Sequence, residues 1–201
     1  DQDGDLDLVT ATYDAGMLTD KGNEYLVGNT GGVYVYKNNA GRFSPQQLAN
    51  EAQGLEVFLF DADRDGRLDI LVGNDFNVPD MAWRNTPAGW KRFTPFAATA
   101  HSTMSLDAGD IHNDGRPELL ATDMKPYAPE DPAVATAWAP LMAGMLPMVM
   151  MPNDIQMMEN VLLARDDSDK YYNISEAVGA DATGWSWSAR FGDLDLDGAD
   201  R

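Results

Sequence analysis

The stretch Asp61-Ala62-Asp63-Arg64-Asp65-Gly66-Arg67-Leu68-Asp69 puts an acid at positions 1, 3, 5 and 9 of a nine-residue loop and a glycine at position 6. Oxygens spaced in this way can converge on one hard cation, which takes six to eight of them. The glycine allows the sharp turn that wraps the loop around the ion. The pattern is not alone. It occurs as Asp1-Gln2-Asp3-Gly4-Asp5-Leu6-Asp7, as Asp110-Ile111-His112-Asn113-Asp114-Gly115-Arg116-Pro117-Glu118, and as Asp193-Leu194-Asp195-Leu196-Asp197-Gly198. Four copies in 201 residues mark a repeat architecture.

A helix-flanked calcium loop would need glutamate at position 12. That position falls on Thr10, Val72 and Ala121 in the first three copies. The flanking residues are strand formers: Phe58-Leu59-Phe60 before the second loop, Ile70-Leu71-Val72 after it. Each acidic loop therefore joins two strands.

The loop glycines lie at 4, 66, 115 and 198, about 62, 49 and 83 residues apart, near the period of four-stranded propeller blades. Between loops the turn clusters delimit four strands per unit. The first unit reads Leu6–Thr12, Gly32–Lys37, Arg42–Gln46 and Val57–Phe60. The second reads Asp69–Asn74, Met81–Asn85, Lys91–Pro95 and Ser105–Gly109. The third reads Glu118–Thr122, Asn160–Arg165, Tyr171–Ser175 and Trp187–Phe191. The expectation is an all-β chain: one partial β-propeller over 1–201, with antiparallel four-stranded units at 1–60, 61–109 and 110–192 and the start of another at 193–201. Three units are too few to close a ring, so the chain reads as part of a larger propeller.

Two stretches exceed the blade period. Tyr13 to Asn23 is polar and reads as a surface loop. The insert at 125–159 holds Met142, Met145, Met148, Met150, Met151, Met157 and Met158, and is uncharged from Ala133 to Asn153. Pro140, Pro147 and Pro152 argue against a spanning helix, so no membrane span is expected. Methionines here either fill gaps over the propeller or form a contact surface for a protein partner.

The net charge is −19, from 33 acidic and 14 basic side chains. A nucleic-acid backbone is therefore an unsuitable partner. Much of the acid sits in the loops, where bound cations would neutralise it. No cysteine is present, which removes disulfides, thiolate metal sites and cysteine catalysis. Repeated calcium sites suit a compartment outside the cytosol, where affinities of about 10⁻⁴ to 10⁻³ M suffice. The expectation is a secreted, periplasmic or cell-surface protein. The chain begins and stops within copies of the loop, which reads as an internal piece of a longer protein.

The expected cofactor is Ca²⁺, several ions with a structural role. In the second loop the ligands are Asp61, Asp63, Asp65 and Asp69 with the Arg67 carbonyl; in the first, Asp1, Asp3 and Asp7 with the Asp5 carbonyl. The fourth offers Asp193, Asp195 and Asp197, with Arg201 where the last acid belongs. The third departs most. Asp110, Asp114 and Glu118 remain, but His112 stands at position 3, and imidazole is a poor ligand for a hard cation. That loop reads as a weakened calcium site or as a transition-metal site using His112.

No catalytic constellation emerges. His101 neighbours Ser102, but nothing resembles a nucleophile elbow or an ordered triad, and there is no phosphate-binding glycine loop. The expectation is a protein that is not an enzyme. Trp185 and Trp187 alternate along an expected strand and share a face, which serves packing between blades or stacking on a sugar. Trp83 and Trp90 carry the same two readings.

The loop pattern before an apolar strand resembles the FG-GAP, or VCBS, repeat of integrin-alpha-like β-propellers. Two stretches are similar to the bacterial branch related to cartilage acidic protein, which is associated with ASPIC/UnbV segments: Ser105-Leu106-Asp107-Ala108-Gly109-Asp110 through Asp123-Met124-Lys125-Pro126, and Glu159-Asn160-Val161-Leu162-Leu163 through Ala182-Thr183-Gly184-Trp185-Ser186-Trp187 to Gly198. The Met-rich insert falls where that branch also carries one. The resemblance implies a propeller of about seven blades and work in protein–protein contact, adhesion or assembly, with glycan binding or a place in a larger exported enzyme as alternatives. It speaks to fold more than to function.

Overall fold

The computed structural model describes residues 3–13, 31–75, 78–127, 131–133, 155–166, 168, 170–194 and 198. Among the described residues the architecture is all-β, built of antiparallel sheets with little helix. The first sheet is β1 (Leu8–Ala11), β2 (Val33–Asn39) and β3 (Arg42–Ala49), in that order. The second is β4 (Gly54–Phe60), β5 (Asp69–Asn74), β6 (Met81–Thr86) and β7 (Gly89–Phe93). A two-residue parallel pair links β8 (Thr99–Ala100) to β11 (Gln156–Met157). The third full sheet runs β9 (Ser105–Gly109), β10 (Glu118–Thr122), β12 (Val161–Arg165) and β13 (Tyr171–Asn173), and α1 (Ser175–Val178) follows.

The turns follow the local sequence. Between β2 and β3, Ala40 and Gly41 both adopt positive φ, 53° and 87°, the pattern of a two-residue hairpin whose twist matches the strands. Asn38 Oδ1 accepts the Gly41 amide at 2.8 Å. At the end of β13 the side chain of Asn173 accepts both the amide and the hydroxyl of Ser175, which turns the chain into α1 before Ser175 can extend the strand.

The hydrogen-bonded sheets are phased one strand earlier than loop-to-loop units. In the second and third copies the strand before the acidic loop pairs with the strand after it: Phe60 faces Asp69 across the second loop, and Gly109 faces Glu118 across the third. These two loops are thus hairpin connections inside a sheet. The stretch Trp187–Phe191, expected as a strand, is not one. Ala189 donates its amide to Ser105 Oγ at 3.1 Å and Phe191 donates to Asp107 Oδ2 at 2.6 Å. Side chains of β9 take the amides that a backbone ladder would otherwise hold, so the segment lies along β9 as extended chain.

The core sits between sheets, and β5 shows why. Successive strand residues point to opposite faces. Ile70 and Val72 pack with Val33, Val35, Met81 and Trp83 toward the first sheet. Leu71 packs with Leu106, Leu119, Ala121, Val161 and Leu163 toward the third. All six residues of β5 are buried, Asp69 and Asn74 included, and its centre Ile70-Leu71-Val72 is an unbroken apolar run instead of alternating. Burying each Ile, Leu or Val contributes about 1.5–3 kcal/mol.

Most of the Met-rich insert lies outside the described residues, including Met142, Met145, Met148, Met150 and Met151. Its returning end is described. Thr99 and His101 donate amides to the carbonyls of Ile155 and Met157, at 3.1 and 2.8 Å. Met157 packs against the core between the second and third sheets. Among the described residues no helix is long and apolar enough to cross a membrane.

Candidate metal centre

The second loop brings three of its acids together. Asp61, Asp63 and Asp65 each offer a carboxylate oxygen, and these atoms lie within 4.8 Å of one another. The backbone sets this up. Arg64 and Gly66 both adopt positive φ, 60° and 85°, so the chain curls and points its amides inward. Asp61 then accepts the amides of Asp65 and Gly66 at 3.0 and 2.8 Å. Asp65 accepts the Arg67 amide at 2.9 Å and pairs with the Arg67 guanidinium.

Asp69 closes the loop from within the sheet. It has no exposed surface, and it accepts the amides of Asn85 and Ala62 at 2.8 and 3.2 Å. Burial pushes its carboxyl above the usual range against those hydrogen bonds, and the charges of Asp63 and Asp65 add to the rise. Asp63 contacts Arg84 through Oδ2 at 2.8 Å, while its Oδ1 is buried without a hydrogen-bond partner.

A divalent cation fits this donor set. The oxygens are hard, they converge, and one of them is a buried acceptor with nothing to accept from. Asp61, Asp63 and Asp65 would hold the ion, which would neutralise their mutual repulsion and fix the turn between β4 and β5.

The third loop repeats the backbone without the cluster. Asn113 and Gly115 take the positive-φ positions. Asp110 accepts the amides of Asp114 and Gly115 at 3.0 and 2.7 Å, and Asp114 accepts the Arg116 amide at 2.9 Å. The Arg116 side chain holds the Asp114 carboxyl below the usual range. Glu118 accepts the Ile111 amide at 3.0 Å through Oε2, and its Oε1 meets His112 Nδ1 at 2.7 Å. Among the described residues only Asp61, Asp63 and Asp65 form a metal-competent group of acids.

The remaining copies are seen in part. In the first, Asp7 accepts the Asn38 amide at 2.9 Å, the counterpart of Asp69 with Asn85, and that bond holds its carboxyl low. Asp3 accepts the Asp5 amide at 3.2 Å, and Asp5 accepts the Ala40 amide at 3.4 Å. In the fourth, Asp193 accepts the Gly198 amide at 2.8 Å, as Asp61 does from Gly66. Asp1, Asp195, Asp197 and Arg201 lie outside the described residues.

A second polar group, at the opposite ends of the strands, escapes a reading centred on the loops. Asn74 Oδ1 accepts the Gln53 amide at 2.8 Å. One sheet later, Asp123 Oδ2 accepts the amides of His101 and Ser102 at 3.0 and 2.9 Å. Asn74 and Asp123 each follow their loop glycine by eight residues, and Thr12 holds that place in the first copy. Their own amides go to Asp80 Oδ1 and Asn160 Oδ1, both at 2.8 Å. The signal was present in sequence: a side-chain oxygen at the end of the apolar run, eight residues after the loop glycine, in the first three copies. Burial pushes Asp80 up to about 7 and Asp123 up to about 6. Tyr13 donates to Asp75 at 3.1 Å, and burial with the Asp75 charge raises the phenol to about 12.

His101 and Ser102 do adjoin, with Ser102 Oγ 3.4 Å from Nδ1, but both are buried. Trp83 is buried between sheets. Trp185 and Trp187 are 60% and 67% exposed, so among the described residues they do not pack a core.

Residues 1–72 and 61–121 match the FG-GAP-like repeat family. No curated protein and no solved structure matches the chain.

Proposed function

Since the chain belongs to the FG-GAP-like repeat family, we propose that it is a calcium-stabilised, non-catalytic stretch of a β-propeller that acts outside the cytosol as a protein-interaction module. Repeats of this family are in general interaction modules. The convergent Asp61, Asp63 and Asp65 carboxylates carry the calcium part of the reading. In it, each ion rigidifies a hairpin at one end of a sheet, and the stacked sheets present their loops and the 125–159 insert to a protein partner. The similarity to the bacterial branch related to cartilage acidic protein supports an exported setting, and the larger propeller of about seven blades belongs to the same proposal.

The test is a calcium titration of the chelated protein by calorimetry, followed with thermal unfolding. Binding of about two to three ions with a large rise in melting temperature is expected for loops of this composition. No binding and no stabilisation would leave the Asp repeats as acidic turns. Deleting the insert should abolish capture of a protein partner while leaving calcium binding in place.

One observation favours a second reading. The exposed Trp185 and Trp187 are two residues apart and offer aromatic surface suited to sugar stacking. Saturable quenching of tryptophan fluorescence by a glycan, lost in Trp187→Ala, would support a carbohydrate-binding propeller.

A further inference from the structure

The second and third loops are nearly the same object. Both place residues 4 and 6 in the positive-φ region, both fold residue 1 onto the amides of residues 5 and 6, and both pair residue 5 with the arginine at position 7. They differ at position 3. In the second loop that residue is Asp63, whose buried Oδ1 lacks a partner. In the third it is His112, whose ring reaches Glu118 at position 9. We infer that the His112 ring fills the cation's place in the third loop, which then folds without a divalent ion.

The chemistry follows from the donors. A carboxylate can only accept, so Nδ1 carries the proton and donates it to Oε1. With Ile111 donating to Oε2, both oxygens of Glu118 are occupied, and its side chain is only 3% exposed. Asp110 spends its two oxygens on amides and Asp114 spends its two on Arg116. Asp61 and Asp65 are bonded in the same way in the second loop, so the difference lies at position 3, where Asp63 Oδ1 is a buried acceptor without a hydrogen-bond partner and the third loop has an imidazole. A hard cation would have to displace an imidazole donor and would gain a poor ligand in exchange.

The inference rests on the calcium reading of the second loop, and its test separates the two. Calcium stoichiometry is measured by calorimetry on the whole chain, alongside the ¹⁵N spectrum of the histidine rings. His112→Asp should bind one more calcium per chain than the wild type. Glu118→Gln should bind the same number, and His112 should stay protonated on Nδ1 in chelator and in calcium alike. The reverse graft, Asp63→His, should lose one ion. Unchanged stoichiometry in a folded His112→Asp overturns the inference. So does loss of an ion in Glu118→Gln, or a His112 ring that gives up its Nδ1 proton to added calcium or zinc. Should His112→Asp fail to fold, the Glu118→Gln count and the ring spectrum decide. A wild type that binds no calcium would sink the proposed function, while an ion gained by His112→Asp would still support this inference.

Discussion

Thr103 donates its hydroxyl to Asp80 Oδ2 at 2.7 Å, tying the lead-in of the third sheet to the start of β6 in the second. The backbone reinforces the tie, since the Thr103 amide donates to the Asn74 carbonyl at 2.9 Å. Apolar faces stack the sheets, but the hydrophobic effect has no direction. Contacts such as this one set how far along its strands each sheet sits on the next.

The first prediction concerns the protons on Asp80 and Asp123. Burial raises Asp80 to about 7 and Asp123 to about 6, both from 3.8. The folded state therefore holds these protons more tightly than the unfolded chain does. Their contribution to stability is fully present below the unfolded value and is lost as pH rises through 6 to 7. Asp80→Asn keeps an acceptor for the Asn74 amide and cannot ionise. It should match the wild type near pH 4 and exceed it at pH 8 by on the order of 1–3 kcal/mol. Urea unfolding of both proteins in chelator, at pH values across that range, checks this; parallel curves would refute it.

A second prediction concerns how closely the sheets approach. A Cβ built on Gly73 would lie 2.5 Å from Thr103 Cγ2 and 3.2 Å from its carbonyl oxygen. One on Gly54 would meet Ala11 Cβ at 2.4 Å. Gly73→Ala should destabilise by about 1–3 kcal/mol through overpacking. At Gly66 nothing lies within 4 Å, yet φ is +85°. Gly66→Ala meets backbone strain alone, and should cost about 1 kcal/mol or slightly more. Adding Thr103→Ser, which removes the methyl carbon nearest the new Cβ, should rescue Gly73→Ala in part and leave Gly66→Ala unchanged.

Much of this architecture could be read from the chain, and the exceptions share a cause. Asp69–Asn74, Ser105–Gly109 and Glu118–Thr122 fall where the apolar runs put them, because strand periodicity is a local property. The loops were legible for the same reason: the acids, the glycine and the next strand lie within a dozen residues. Pairing is not local. Which sheet β4 joins depends on the loop bringing Phe60 back against Asp69, and spacing alone does not say so. Trp187–Phe191 has strand-like composition, but Ser105 and Asp107, over eighty residues away, capture its amides. The β8–β11 pair joins segments 57 residues apart in sequence, and the Asp80–Thr103 contact crosses between sheets. Long-range partners of this kind leave no pattern at strand period.

The third prediction uses the sign of a charge effect. Without an ion, Asp61, Asp63 and Asp65 repel one another. Asp63→Asn removes one of these charges. In chelator it should be as stable as the wild type or slightly more so, by about 0–1 kcal/mol, set against the loss of the Arg84 contact. In saturating calcium the order should reverse, because a neutral amide oxygen holds the ion less tightly than a carboxylate. A mutant equally stabilised by calcium would show that the charge of Asp63 adds nothing to binding. Differential scanning calorimetry with and without the ion reads both states.

The last prediction concerns the base of the insert. Lys125 and Glu159 stand at its two ends, and Lys125 Nζ contacts Glu159 Oε2 at 2.7 Å and Asp181 Oδ2 at 2.5 Å. Burial works against the ammonium, but Asp181 and Glu159 outweigh it and raise its pKa. Glu159 is largely buried, and its Oε1 has no hydrogen-bond partner, so the lysine is its principal compensation. Lys125→Met would leave that carboxylate uncompensated. It should cost about 1–3 kcal/mol, reduced from the value for a fully buried pair because the lysine retains some exposure. Glu159→Gln in the same background should recover part of the loss, which a purely steric role for Lys125 would not allow. Replacing residues 128–154 by a short glycine-serine linker should leave the melting temperature within a few degrees, because Thr99–Ile155, His101–Met157 and Lys125–Glu159 still hold the two ends. Loss of folding on that replacement would show that the insert holds the third sheet together, in place of being held by it.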